Sequence, residues 1–246
     1  MSNTANVTPY RNEQAGADAG AAIGWALGAL AEALAATDAE REVIARYRHL
    51  SRGESLGAAR LDCRLADNGD LLAAAAGLGF RARGTDGPAR LDAARLDVDR
   101  PIELLSPGGA SLVIRRTRAG LAILSTGGQA PINDVVRQVT VGRAERHLAA
   151  LSGGQVVSRR LASGEIELRA REARPRQDGA ATITTRIAAT GAMQVDVADL
   201  RGRRCEQLLG EVAQAVGGEI DGQTLKPAYY AAPVAPGEPV HIGTGG

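Results

Sequence analysis

His49, His147, His241, Cys63 and Cys205 are the residues of this chain best suited to hold a metal or act as a nucleophile. Metal ligands carried on one element recur at short fixed spacings, and none of these five has a second His or Cys at such a spacing. No metal site is therefore expected. Cys205 follows Arg203 and Arg204 at the start of a helical pattern, a setting that lowers the pKa of an exposed thiol. Its position on an apolar stripe points instead to a small buried side chain. The glycine pairs at 108–109, 127–128 and 153–154 lack the Lys-Ser/Thr of a phosphate loop and the strand-to-helix setting of a dinucleotide fingerprint, so they read as turns. Nor are two carboxylates paired on an apolar element, as general acid–base catalysis requires. The expectation is a non-enzymatic protein without catalytic residues, cofactor or metal.

Three features suit binding rather than catalysis. Gly20, Gly24 and Gly28 fall every four residues within a helical pattern, together with Gly16, and such a stripe lets a second backbone approach closely. Tyr229 and Tyr230 offer rigid amphipathic contact area. Gly245 and Gly246 form a Gly-Gly ending like that of ubiquitin-like modifiers, which are conjugated through such a tail. The arginine clusters at 115–118 and 201–204 have no interleaved aromatics to stack bases, and read as solvated charged faces.

The elements that would position these residues make an α+β chain. Residues 1–14 are polar and irregular, a flexible arm; 15–50 read as an Ala/Gly-rich N-terminal helix or helical hairpin. An α+β domain over 51–172 follows. It begins with a looser segment, 51–69, then an Ala-rich helix over 70–77 and a loop over 81–99. Next comes a central antiparallel meander of strands at 102–105, 112–116 and 121–124, separated by Pro107-Gly108-Gly109 and Ala119-Gly120. A helix over 131–151, clearest from 141, precedes a hairpin at 156–161 and 166–170, with Glu165, Glu167 and Arg169 facing outward. Residues 173–180 read as a linker between domains.

A small strand-strand-helix unit occupies 181–230. Ile183, Thr185 and Ile187 alternate with polar neighbours, as do Met193, Val195 and Val197 beyond the Thr190-Gly191 turn. Cys205, Leu208, Leu209, Val212 and Val216 then mark one helical face, stopped at Gly217-Gly218, with a further strand expected over 219–225. The last stretch, 231–246, is Pro-rich and reads as a disordered tail.

Composition sets outer bounds. Of 246 residues 44% are hydrophobic but only 2% aromatic, so the core must be built from Ala, Leu, Val and Ile. The 29 basic and 28 acidic residues nearly cancel, which argues against a protein held on nucleic acid by bulk charge. No apolar run is long enough to span a membrane. Two distant cysteines fit a reducing cytoplasm better than a disulfide framework.

The run from Ile183 to Gly217, followed by the Leu225–Tyr230 segment, resembles a family of very small bacterial proteins. Their pattern is a hairpin, a Gly-x-x-Cys entry into an amphipathic helix, a Leu-Gly-type ending and a Tyr-containing tail, matched here by Gly202, Cys205, Leu208, Val216, Gly217, Tyr229 and Tyr230. Such proteins are often encoded beside AAA-type ATPases and a partner family known from cyanobacterial and plastid open reading frames. The middle of this chain, with Leu78-Gly79-Phe80 closing a helix, is similar to that partner family. The resemblance implies an adaptor or structural subunit acting with an AAA-type ATPase or in a larger assembly, a homo-oligomer or part of one. It carries over no catalytic residues.

Overall fold

The computed structural model describes residues 2–8, 57–61, 68–82, 102–117, 120–125, 127–173, 180–200 and 203–224. Among the described residues the helices are α1 (Asn68–Gly77), α2 (Ala130–Ser152) and α3 (Arg203–Val216). The strands among the same residues are β1 (Ser2–Thr8), β2 (Gly57–Leu61), β3 (Arg81–Ala82), β4 (Ile102–Leu105), β5 (Ser111–Thr117), β6 (Gly120–Ser125), β7 (Val156–Arg160), β8 (Ile166–Arg171), β9 (Thr182–Ile187), β10 (Met193–Ala198) and β11 (Glu219–Thr224). They form two antiparallel sheets, ordered β2-β6-β5-β4-β3 and β11-β1-β10-β9-β8-β7. The protein is thus α+β, with the meander at β4, β5 and β6.

Each sheet has its own apolar core, and α2 serves both. Ile132, Val135, Val136 and Val139 pack with Leu72, Leu104, Leu112 and Ile123 against the five-stranded sheet. Val141, Ala144 and Leu148 pack with Leu168, Ile183, Val195, Leu208 and Val212 against the six-stranded one. At 100° per residue the two sets point roughly 160° apart, so the helix buries one side along its first half and nearly the opposite side along its second. Thr140 lies at the changeover, fully buried, and its hydroxyl donates to the Val136 carbonyl at 3.0 Å. The buried hydroxyl's donor is thereby satisfied without leaving the helix.

Helix ends follow from sequence. Pro131 sits in the first turn of α2, where its missing N–H costs nothing. Each helix closes on a glycine in left-handed conformation, Gly79, Gly153 and Gly217. The next residue donates back to the helix: Phe80 to Ala75, Gly154 to Ala149 and Gly218 to Ala213. An ion pair locks α1 on α2, with Asp70 accepting from Arg143 Nε and Arg146 Nη2, both at 2.7 Å.

Two expectations are corrected. Ser2–Thr8 is not an arm but an interior strand, paired with β10 on one side and β11 on the other. Ala5 and Val7 turn inward and are buried, and backbone pairing on both edges supplies what two small apolar residues cannot. The linker expected over 173–180 joins strands that are hydrogen-bonded neighbours in one sheet, from Ile166↔Ile187 to Arg171↔Thr182, so the hairpin after it continues the sheet before it. Glu172 staples that junction. Its carboxylate accepts from the Ala181 N–H at 3.0 Å and from Arg204 in the first turn of α3. The 15–50 helix, the 231–246 tail and most of the 1–14 and 51–69 segments lie outside the described residues.

Candidate functional site: the outer face of the six-stranded sheet

The inner face of the six-stranded sheet is covered by α2 and α3. Its outer face carries the alternate residues, most of them polar: Thr4, Asn6, Arg159, Glu167, Arg169, Arg171, Thr182, Thr184, Arg186, Gln194 and Asp196, with Val157 and Ala198 as apolar exceptions. An open cleft of about 330 Å³ lies among the central ones.

Glu167 organises this face. Register places it directly between Arg159 on β7 and Arg186 on β9. Its Oε1 accepts from Arg159 at 2.7 Å and its Oε2 from Arg186 Nε at 3.1 Å. The residue is only 5% exposed although it belongs to the solvent side of the sheet, where the sequence places it in water. The two arginine side chains cover it and remain over half exposed themselves. Burial raises the pKa of the Glu167 carboxyl, but hydrogen bonds and charge from Arg186 and Arg159 outweigh burial and hold it below 4.5. Farther across, Asp196 accepts from the Thr4 hydroxyl, and Asp199, at a positive φ of 66°, accepts from Thr182 at 2.7 Å.

No family model matches the chain, and neither does any curated protein or solved structure. The site therefore rests on its own geometry.

The sequence-level candidates fall elsewhere. Gly20, Gly24, Gly28, Tyr229, Tyr230, Gly245 and Gly246 lie outside the described residues, as do His49, His241 and Cys63. Cys205 is fully buried, with its thiol 3.8 Å from the Val197 carbonyl. Arg204, from the cluster at 201–204, is committed to Glu172 rather than to a solvated face. Among the described residues no group of three His, Cys, Asp or Glu could hold a metal, and no helix is long and apolar enough to cross a membrane. The Arg159–Glu167–Arg186 triplet was readable only through strand register. A Glu between Ile166 and Leu168 on an alternating strand reads as the solvent-facing partner of two inward residues and carries no mark of burial.

His147 stands apart from this face, on α2, where it feels Glu211 of α3. Burial lowers its pKa and Glu211 raises it, with burial prevailing, so the folded value lies below 6.5. The unfolded chain then binds the proton more readily, and stability falls as pH drops below about 6.5. Urea midpoints at pH 7.5 and 5.5 should differ for the wild type, and by less for His147→Gln. An equal drop in both would remove His147 from the account.

Proposed function

We propose that this chain is a non-enzymatic adaptor or structural subunit, working with an AAA-type ATPase or within a larger protein assembly in the cytoplasm. The observation that carries the reading is strand β7. It ends the six-stranded sheet, so β8 pairs with one side of it and no described strand with the other. Four of its five residues are exposed, and Val157 at 65% is the most exposed large hydrophobic residue of those described. A free edge supplies main-chain donors and acceptors to an incoming extended segment, while alternate side chains supply selectivity. Here those are Val157 and Arg159 on one face and Arg160 on the other, a combination that fits an extended segment with acidic residues. Support for an ATPase as the partner comes from the resemblance of the 183–230 segment.

Affinity purification of the tagged full chain from its native host, with Val157→Lys alongside, tests the reading. A lysine on the edge strand obstructs strand addition and leaves an already exposed position exposed. The wild type should recover an AAA-type ATPase or another stoichiometric protein, and the variant, folded by circular dichroism, at least tenfold less of it. Equal recovery by both, or no stoichiometric protein with the wild type, would refute the proposal.

A further inference from the structure

We propose that the outer face of the six-stranded sheet binds a small phosphate-bearing ligand, its phosphate on Arg169 between Arg159 and Arg186 and a donor group at its far end on Asp196. Arg169 follows Glu167 by two residues on β8, so both side chains leave the same face about 7 Å apart. Arg159 and Arg186 are drawn together across Glu167, one on each flanking strand, and therefore stand diagonal to Arg169 on both sides.

One buried carboxylate faces three guanidiniums, which leaves this corner of the face with two uncompensated positive charges. Among the described residues none forms an ion pair or side-chain hydrogen bond with the Arg169 guanidinium. A guanidinium has five N–H donors, and Glu167 engages only some of those on Arg159 and Arg186. With the Thr184 hydroxyl directly opposite Arg169, the corner offers more donors than the two oxygens of a carboxylate can accept. A phosphate monoester, with three acceptor oxygens and close to two charges, matches it.

The far end of the cleft differs in sign. Asp196 lies opposite Thr184 on the next strand, about 10 Å from Arg169 across two strand spacings. It accepts one long hydrogen bond from Thr4, 3.4 Å, and retains acceptor capacity for a ligand hydroxyl or ammonium. Ala198 is the one apolar residue in the lining of the cleft, and no aromatic residue is among them. That composition suits a compact polar ligand and provides no platform for a base.

The test titrates the full-length protein with inorganic phosphate, acetate and O-phosphoserine at fixed ionic strength, following backbone amide shifts. Fixed ionic strength separates binding from screening. Phosphate should give saturable shifts centred on Arg169 and Thr184, and acetate should bind at least tenfold more weakly. O-phosphoserine, whose ammonium reaches Asp196, should bind about tenfold more tightly than phosphate. Arg169→Ala, an exposed position that leaves the fold intact, should weaken phosphate at least tenfold; Asp196→Asn should erase the advantage of O-phosphoserine alone. Shifts that ignore Arg169→Ala, or acetate equal to phosphate, would overturn the phosphate site. Equal affinity for phosphate and O-phosphoserine would overturn the role of Asp196.

Discussion

Thr140→Pro is expected to unfold both halves of the protein in a single step. A proline at 140 removes the N–H that bonds to the Val136 carbonyl and drives its ring into that turn, a loss of about 3 kcal/mol or more. The break falls where α2 passes from one core to the other, between Val139 and Val141. Neither core can keep its share of the helix without the other. Native-state hydrogen exchange should show amides of Leu72 and Ile123 losing protection together with those of Val195 and Leu209. Retention of protection around one core while the other exchanges freely would show two independent units joined by a passive helix.

Removing both arginines over Glu167 should cost nearly as much. In the Arg159→Ala/Arg186→Ala variant a carboxylate of 5% exposure loses both partners. Breaking a buried pair from the side that leaves a charge behind costs about 3–5 kcal/mol, and the uncovering of Glu167 by the loss of its two lids keeps the value toward the low end. The share of the pH dependence that comes from Glu167 should also vanish. In the wild type the folded pKa lies below 4.5, so the contribution of Glu167 is present above that pH and is lost as pH falls through the folded value. In the double variant the hydrogen bonds and charge that depress the pKa are gone, and so is the cover that opposes them, so Glu167 should add little pH dependence of its own. Adding Glu167→Gln should recover much of the loss at neutral pH. Denaturant unfolding at pH 7 and pH 4.5 measures all of this, and a double variant with wild-type pH dependence would contradict it.

Elements whose local pattern agrees with their burial were legible from residues alone. The alternations at 183–187 and 193–197, the stripe from Cys205 to Val216 and the glycine stops all correspond to observed elements because each buries one continuous face. Helix α2 was clear only from 141 onward. Its apolar stripe changes sides at Thr140, and a period counted across that point averages out. Strand β1 was missed because Ala5 and Val7 are the only apolar inward residues among polar ones, and what makes it a strand lies in β10 and β11. The outer-face site was invisible for the same reason. Glu167, Arg159 and Arg186 meet through register, and register is a property of paired strands rather than of any one of them.

The interior position of β1 also sets a timetable. Thr4 and its partner Asp196 are separated by 192 residues, and β11 is made later still. A ribosome adding about 5–20 residues per second needs on the order of 10–40 s to travel from the first strand to the strands that will enclose it. Throughout that interval β1 is a nascent segment with no mate, and β10 and β11 emerge with a slot between them that only a much older part of the chain can fill. Closure of the larger sheet therefore waits until β10 and β11 have been made, and through that interval β1 is a strand open to capture by a ribosome-bound chaperone.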